Sequence, residues 1–417
     1  MGITAIIADD LTGATDTGVQ FCKYGLRTIV INQYQELKHI DPNKEVWAIN
    51  ADTRPLTAAA AYERTYRITN DLKSLGINQI YKKIDSTLRG HPGTELEAVM
   101  DALEVDIALL TPAFPGTGRM VRGGQLYLAG KKESVCNIVP VIQGQMKRSV
   151  VSIKLETVRG GVQQLVQEIM ALKSNGSQVF VLDAVTEEDL ITITQVTQLI
   201  TNSVAVGAAG LAAFLPTAWG YEPPVNRAVT KAETTLLIAG SQNQVTRRQM
   251  QSLLAQMEVP VVKVDTNAIL RGQGPAEVQR AIELANSFLN NQQLPQLVVI
   301  SVDGLLVTEQ EDAANEVAIT SYHSEDIAAA LGQIARELVL RGQIHSIIAT
   351  GGDTALHVCG ALAANGIELI TELLPGIPIG RLAGGIAKGM PIVTKSGGFG
   401  EPSAFVTVNT YLRNHVY

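Results

Sequence analysis

Cysteine and histidine are both scarce in this sequence of 417 residues. The three cysteines, Cys22, Cys136 and Cys359, are odd in number and far apart, which disfavours disulfides and predicts reduced thiols. The six histidines form no HExxH motif or similar cluster. We therefore predict no zinc or other metal ion held by protein side chains alone.

The chain also lacks an excess of positive charge, a long apolar run and an export signal. Its formal net charge of -7 leaves no basic footprint for nucleic acid. No run of about 18 apolar residues is present, so no membrane span is expected. The N-terminus has neither a cationic start nor a long apolar region. We expect a cytoplasmic protein whose partners are small molecules, and the sequence leaves open whether it forms a homo-oligomer.

What the sequence does contain is a repeated alternation of short apolar runs with segments of helical spacing. Clear strand candidates include 46–50, 107–111 and 235–239. Such alternation predicts an α/β fold with mainly parallel sheets flanked by helices. It starts afresh after a proline-containing stretch at 216–231, so we predict two domains, residues 1–222 and 223–417.

A glycine-rich turn follows one predicted strand in the second half. An apolar run at 344–349 leads into Thr-Gly-Gly-Asp-Thr at 350–354 and then into helical spacing. Such a turn leaves backbone N–H groups unpaired at a helix N-terminus, where they can bind phosphate. The alternative is an ordinary turn in which Asp353 caps the helix.

Further turns of this kind occur at Ser241 and at Gly397-Gly398, and several in one domain indicate a nucleotide site. The sequence has no GxxxxGK[ST] motif, and no GxGxxG follows a predicted strand. This disfavours a P-loop fold and a Rossmann dehydrogenase.

In the first half, two adjacent acids, Asp9 and Asp10, follow the first predicted strand. Ligands of open α/β sheets bind at the carboxyl ends of strands, where carboxylates can accept hydrogen bonds from hydroxyls or hold a cation. The alternative is that Asp10 or Thr12 only caps the helix that follows. Arg54 follows another predicted strand, where it can clamp a carboxylate or form a surface salt bridge instead.

The most polar strand end of the first half begins at Lys82. Within eight positions it contains two lysines, an acid, two hydroxyls and an arginine. Because side chains alternate along a strand, we expect only one of Lys82 and Lys83 to face a ligand. Three consecutive strand ends thus carry ligand-type side chains. Together they indicate a site for a small polyhydroxy acid, with Arg or Lys for its carboxylate and Asp for its hydroxyls.

In their order along the chain, these motifs resemble the signatures of the four-carbon acid sugar kinases. The segments that carry the resemblance are Ile7–Ala14, Thr53–Pro55, Lys82–Gly90, Ala349–Thr354 and Lys395–Gly400. The resemblance implies an N-terminal substrate domain, a C-terminal nucleotide domain and an active site in the cleft between them. It also implies that ATP, accompanied by Mg²⁺, phosphorylates the terminal hydroxyl of a four-carbon sugar acid. The Lys-Ile-Asp-Ser-Thr-Leu-Arg run is similar to that of the D-threonate and D-erythronate branch, whereas His91 departs from the family pattern.

The resemblance also implies roles for individual residues. The predicted substrate-binding set is Asp9, Asp10, Arg54, Lys82, Lys83, Ile84, Asp85, Ser86 and Arg89. The predicted ATP-binding set is Ser241, Gly351, Gly352, Asp353, Thr354, Gly397 and Gly398. Phosphoryl transfer needs a residue that receives the hydroxyl proton. Asp353, beside the phosphate turn, and Asp85, in the hydroxyl-binding cluster, are the two candidates. D-Threonate is the expected substrate, with D-erythronate and 3-oxo-tetronate as alternatives.

Two other classes of protein would share parts of this pattern. A non-catalytic, two-lobed sugar-acid-binding protein would have the same architecture, but it would normally be exported and would have no use for the glycine turns. A nicotinamide-dependent sugar-acid dehydrogenase would need the dinucleotide motif that the sequence lacks.

Overall fold

The computed structural model of the chain describes residues 3–32, 34, 37, 44–221, 233–290, 294–305 and 321–414, without the side chains of 321–324. The chain divides into two compact units, Met1–Pro224 and Val225–Tyr417. The predicted domain boundary and most of the predicted linker, residues 222–231, lie outside the described residues.

The N-terminal unit is built on a parallel sheet. Its described strands are β1 (Thr4–Ala8), β2 (Thr28–Ile31), β3 (Val46–Asn50), β4 (Gln79–Lys83), β5 (Ile107–Thr111), β6 (Arg119–Arg122), β7 (Gln125–Leu128), β8 (Cys136–Asn137), β9 (Val150–Ile153), β10 (Val179–Leu182) and β11 (Ser203–Gly207). The order across the main sheet is β2-β3-β1-β4-β11-β5-β10-β9, and every pair in it is parallel. The strands β6, β7 and β8 form a small antiparallel sheet.

Helices connect the parallel strands of this unit. They are α1 (Leu11–Cys22), α2 (Ala58–Ser74), α3 (Pro92–Leu103), α4 (Ile138–Gln143), α5 (Leu155–Arg159), α6 (Val162–Ser174), α7 (Glu187–Leu199), α8 (Ala209–Ala212) and α9 (Leu215–Ala218). Local sequence explains several of the helix starts. Asp10 caps α1, Pro92 occupies the first turn of α3, and Thr186 with Asp189 forms a capping box at α7.

The C-terminal unit repeats this architecture with a mixed sheet. Its described strands are β12 (Thr235–Ala239), β13 (Val261–Val264), β14 (Leu297–Val302), β15 (Ser346–Thr350), β16 (Gly366–Leu374), β17 (Ile377–Ala383) and β18 (Pro391–Lys395). The strands β13-β14-β12-β15-β18 are parallel neighbours, and β17 and β16 follow in antiparallel order. The described helices are α10 (Gln244–Gln256), α11 (Thr266–Ala268), α12 (Gly274–Leu289), α13 (Ser321–Leu340), α14 (Gly352–Ala361) and α15 (Ala404–Asn414).

The central strands of both sheets are buried along their whole length, as shown by β1, β12 and β15. Parallel sheets that are covered on both faces have such continuous apolar strands. The predicted α/β class, with two domains of mainly parallel sheet flanked by helices, is confirmed. None of the helices in the described part of the chain is long and apolar enough to cross a membrane.

Candidate active site

The carboxyl ends of β1, β3 and β4 lie side by side, since β1 pairs in parallel with both other strands. Ala8 is in register with Asn50 on one side and with Lys83 on the other. This edge is also a switch point of the topology, because the chain leaves β3 and passes across β1 to enter β4. The side chains that follow these strands therefore meet at the place where ligands of α/β sheets usually bind.

Arg54 lies at the centre of this group. Its Nε and Nη2 donate to Asp9 Oδ2 at 2.9 and 2.6 Å, and its Nη1 lies 2.8 Å from Asp10 Oδ2. Nη2 is also 3.4 Å from Asp85 Oδ1. Burial by itself would lower the pKa of Arg54, but Asp10, Asp9 and Asp85 raise it well above its ordinary value. The guanidinium is therefore charged, and in this structure its Nε and Nη2 both bind Asp9.

Asp10 has two functions in the structure. Its Oδ1 accepts the N–H of Gly13 at 2.8 Å, which makes Asp10 the N-cap of α1. Its Oδ2 accepts the Thr12 hydroxyl at 2.7 Å and pairs with Arg54. Burial would raise the pKa of Asp10, yet Arg54 and Lys83 bring it below its ordinary value. The capping interpretation is thus right, and it does not remove Asp10 from the cluster.

Asp85 is held on both of its oxygens. Oδ2 accepts the N–H of Thr87 at 3.0 Å, the Thr87 hydroxyl and Nε of Arg89 at 3.1 Å. Oδ1 accepts Nη2 of Arg89 at 2.7 Å. Burial opposes ionisation, but the Arg89 hydrogen bonds and the charges of Arg89 and Arg54 hold the pKa of Asp85 far below its ordinary value. A carboxylate that is stabilised in this way is a poor acceptor for a proton.

Asp9 differs from its neighbours because one of its oxygens is unpaired. Its side chain is buried, and Oδ1 accepts no hydrogen bond from the described residues. Burial raises the pKa of Asp9 to about 6, against the lowering effect of Arg54. Asp9 therefore changes its charge close to neutral pH, whereas Asp10 and Asp85 do not.

The two adjacent lysines of β4 have different surroundings. Lys82 is fully buried, lies 2.7 Å from Glu95 of α3, and donates to the backbone oxygens of Ile7 and Lys83 at 3.2 and 2.8 Å. Burial would lower the pKa of Lys83, but four carboxylates raise it: Asp16, Asp9, Asp10 and Asp85. Lys83 therefore belongs to the cluster of acids, whereas Lys82 fastens α3 to the ends of β1 and β4.

The other predicted residues of this segment also differ in environment. Ile84 is buried, and its N–H donates to Gly207 O at 2.9 Å, so its side chain is part of the core. Ser86 Oγ accepts Nε of Arg119 at 3.2 Å. The side chain of Arg89 is 61% exposed, which leaves part of its guanidinium accessible to a ligand.

In the C-terminal unit, the turns that follow β12, β15 and β18 also meet, because these strands are parallel neighbours. A Cβ at Gly397 would collide with the Ser241 hydroxyl, and one at Gly351 would lie 3.5 Å from Ser241 Cβ. The N–H of Gly351 donates to Lys395 O at 2.9 Å. The structure therefore brings together predicted residues from three separate turns.

The helix α14 begins at Gly352 without a side-chain cap. Its N-cap is Gly351, whose φ of 107° favours glycine. The interpretation in which Asp353 caps the helix is therefore wrong, since Asp353 lies inside the first turn and is exposed. The first helical hydrogen bond runs from Ala355 N–H to Gly351 O. The amides from Gly352 to Thr354 precede it and are available to an external acceptor.

The turn that follows β18 is held by Lys395, which is 1% exposed. Its Nζ donates to Ser396 O at 2.8 Å and to Phe399 O at 3.2 Å. Burial lowers the pKa of Lys395 to about 7. The amides of Gly397 and Gly398 donate to no acceptor among the described residues. Unpaired amides of this kind, together with those of α14, suit the phosphate groups of a nucleotide.

Comparisons with known proteins identify the family. Residues 4–215 match a sugar-binding N-terminal domain, and residues 236–405 match a nucleotide-binding C-terminal domain. A D-threonate kinase from Bordetella bronchiseptica is 32% identical over 98% of this chain and 97% of its own. The chain belongs to the four-carbon acid sugar kinase family.

Two further comparisons agree with this assignment. A D-erythronate kinase from Heliobacterium modesticaldum is 30% identical to this kinase over 99% of the chain and 97% of its own. A solved structure from Salmonella typhimurium LT2, named as a tRNA synthase, has a TM-score of 0.79 at 23% identity and covers 98% of this chain and 99% of its own. At that identity it supports the fold alone. The kinase is a phosphotransferase with an alcohol group as acceptor, which excludes the binding-protein and dehydrogenase alternatives.

Two further residues of this kinase, Arg119 and Lys395, have no role in the predicted substrate-binding and ATP-binding sets. Arg119 begins β6 after a loop rich in proline and glycine, and a cation after a strand end is the same signal that selected Arg54. Lys395 is the one charged residue of the strand Pro-Ile-Val-Thr-Lys, which is otherwise mostly apolar. A single lysine in such a strand indicates a buried charge, and this signal could have identified Lys395 as a candidate site residue.

Proposed function

We propose that this kinase transfers the γ-phosphoryl group of ATP to the terminal, 4-hydroxyl of D-threonate, which yields 4-phospho-D-threonate. The observation that carries the proposal is the balanced charge of the N-terminal cluster. Apart from the Lys82–Glu95 ion pair, it comprises four acids and four cations, namely Asp9, Asp10, Asp16, Asp85, Arg54, Lys83, Arg89 and Arg119. A sugar acid offers hydroxyl groups to carboxylates and a carboxylate of its own to cations.

Within this cluster we assign the ligand carboxylate to Lys83 and Arg89. In Arg54, Nε and Nη2 already bind Asp9, and Nη1 pairs with Asp10. Arg54 would therefore act on the substrate through the two acids that it orients. Lys83 is a buried charge beside these acids, and Arg89 is largely exposed.

We assign the phosphates of ATP to the C-terminal unit. The unpaired amides of Gly397 and Gly398 and the first turn of α14 suit anionic oxygens, and the Ser241 hydroxyl lies next to Gly397. ATP supplies the phosphoryl group, and the Mg²⁺ that accompanies it is bound largely by phosphate oxygens and water. Asp353 is the proposed acceptor of the hydroxyl proton.

The choice of sugar acid rests on similarity. The relative named as a D-threonate kinase is 32% identical and the one named as a D-erythronate kinase is 30% identical, which separates them only slightly. The Lys82–Arg89 run is similar to that of both branches. D-Erythronate is therefore the first alternative substrate, and 3-oxo-tetronate is the second.

An assay that couples ADP formation to NADH oxidation tests the substrate. We expect the highest kcat/KM with D-threonate among D-threonate, D-erythronate, L-threonate and 3-oxo-tetronate. Phosphorus NMR of the product should show a phosphate ester on C4. A higher kcat/KM with D-erythronate would replace D-threonate as the substrate, and ADP formation with none of the acids would refute the proposed function. Thermal shift with ATP–Mg²⁺ and with NAD⁺ gives an independent check on the nucleotide.

The variant Gly13→Ala tests whether Lys83 and Asp10 belong to the sugar-acid site. A Cβ at residue 13 would lie 2.7 Å from Asp10 Oδ1 and 2.8 Å from Lys83 Nζ, so both groups must move. We expect KM for the sugar acid to rise by about tenfold, as for the loss of one charge-assisted contact, while KM for ATP stays unchanged. Alanine favours the helix by about 1 kcal/mol, which offsets part of the strain, so the Tm should change little.

Gly360→Ala is the matched control for this variant. Gly360 also lies in a helix, α14, and a Cβ there would meet no atom within 4 Å. We expect unchanged KM values for both substrates. An unchanged KM for the sugar acid in folded Gly13→Ala would remove Lys83 and Asp10 from the proposed site.

A further inference from the structure

Three buried side chains of the C-terminal unit surround the turn at residues 396–401. They are Lys395, Thr246 and Gln249, which are 1%, 0% and 0% exposed. Lys395 ends β18 and leads directly into the turn. Thr246 and Gln249 are three residues apart on α10 and therefore lie on one face of that helix.

All three side chains donate hydrogen bonds to backbone oxygens of the turn. Lys395 Nζ donates to Ser396 O at 2.8 Å and to Phe399 O at 3.2 Å. Thr246 Oγ1 donates to Gly397 O at 2.9 Å. Gln249 Nε2 lies 2.9 Å from Phe399 O, 2.8 Å from Gly400 O and 3.1 Å from Glu401 O. Five carbonyl groups of one short turn are thus directed toward the interior of the unit.

The direction of these carbonyls fixes the direction of the amides. In a trans peptide the C=O and the N–H point in opposite directions, and no described peptide bond is cis. The Ser396 carbonyl is directed at Lys395, so the N–H of Gly397 points away from that ammonium. The Gly397 carbonyl is directed at Thr246, so the N–H of Gly398 points away from that hydroxyl. These two amides are the ones that lack an acceptor among the described residues.

We propose that Thr246, Gln249 and Lys395 are positioning residues for the nucleotide, because they hold the carbonyls inward so that the amides of Gly397 and Gly398 face a phosphate. The inference rests on the proposed ATP site. The three side chains do not touch the ligand themselves, since they are buried and direct their hydrogen bonds at the turn. The helix α10 also follows the turn after β12, which holds Ser241. It therefore links two of the three turns that we assign to the nucleotide, those after β12 and β18.

The isosteric variant Thr246→Val tests this role by nucleotide binding rather than by activity. Calorimetric titration with the non-hydrolysable analogue AMP-PNP and Mg²⁺ should show a Kd raised by about five- to tenfold, as expected for the loss of one hydrogen bond that fixes a binding group. Thr246→Ser keeps the hydroxyl and should bind within about twofold of the wild type. The Kd for D-threonate should be the same in all three proteins.

Thr235→Val is the matched control in the same unit. Thr235 is equally buried, and its hydroxyl bonds to Ser346 Oγ at 2.9 Å. These residues begin β12 and β15, at the end of the sheet opposite the nucleotide turns. We expect Thr235→Val to leave the Kd for AMP-PNP unchanged. An equal loss of affinity in Thr235→Val and Thr246→Val would show a general loss of packing and overturn the positioning role.

Gln249→Met provides a second, independent test. Methionine has a similar length but removes the amide whose two N–H groups are shared among three carbonyl oxygens. We therefore expect the Kd for AMP-PNP to rise by about tenfold or more. Full affinity in both folded variants would refute the positioning role alone. Failure of the wild-type kinase to bind AMP-PNP would instead refute the proposed function, and this inference with it.

Discussion

Replacing Asp353 by asparagine is expected to lower kcat by about 10²–10⁴-fold, the usual contribution of a general base. Asp353 is exposed in the first turn of α14, next to the amides that we assign to the phosphates. A base must reach the hydroxyl that attacks the γ-phosphate, and we propose Asp353 for this role because it lies on the turn that we assign to the phosphates. Asparagine has nearly the same size but cannot accept the proton.

The same substitution should leave the fold and the nucleotide affinity intact. Gly351 rather than Asp353 is the N-cap of α14, so no capping bond is lost. Loss of an acid from the first turn of a helix costs only about 0.3–1 kcal/mol of stability. Removal of a negative charge beside the phosphates should keep or lower the Kd for ATP.

Asp85→Asn is the comparison that separates the two candidate bases. The pKa of Asp85 is held far below its ordinary value by Arg89 and Arg54, so we expect Asp85 to orient the substrate rather than take its proton. This variant should raise KM for the sugar acid and keep most of kcat. Steady-state kinetics with each substrate varied in turn will distinguish the roles. If kcat falls in Asp85→Asn instead, and Asp353→Asn keeps most of its kcat, then Asp85 is the base. Full kcat in both variants would show that neither acid is the base.

The strands were predictable because of how they are buried. The predicted strands 46–50, 107–111 and 235–239 coincide with β3, β5 and β12. Strands of a parallel sheet that is covered on both faces are continuous apolar runs, and glycine or polar residues mark their ends. The same rule placed the candidate ligand groups, since whatever follows such a strand lies at the carboxyl edge of the sheet.

Pairing between distant side chains was not predictable. Arg54 and Asp9 are 45 positions apart, and the sequence shows that each follows a strand but not that they bind each other. Alternation along β4 shows that Lys82 and Lys83 differ, but it does not say which one meets Glu95. Gln249 bonds to the turn at 399–401 across 150 or more positions, and Gln249 itself is an uncharged residue within a helix, so the sequence gives no signal for this contact. Such contacts depend on tertiary packing, which periodicity does not encode.

Arg54→Ala is expected to affect both stability and sugar-acid binding. Arg54 neutralises Asp9 at 2.6 Å, Asp10 at 2.8 Å and Asp85 at 3.4 Å. Its removal leaves buried carboxylates without their partner, and breaking a buried pair in this way costs about 3–5 kcal/mol. Because a quarter of the Arg54 side chain is exposed, we expect the lower end, about 3 kcal/mol, in urea unfolding. Binding of the sugar acid should weaken by about 1.5–3 kcal/mol, since the two acids lose their orientation.

Arg148→Ala is the control that separates these two effects. Arg148 also joins two acids of the N-terminal unit, Glu97 at 2.8 Å and Asp101 at 2.7 Å, and it is only 18% exposed. It precedes β9, so it lies at the end of the sheet opposite Asp9, Asp10 and Asp85. We expect it to lose stability, by about 1–3 kcal/mol, with no change in either KM. Arg54→Lys, which keeps the charge but not the fork, should fall between the wild type and Arg54→Ala. If Arg54→Ala unfolds more easily but keeps the wild-type KM for the sugar acid, then Arg54 stabilises the N-terminal unit and has no part in binding.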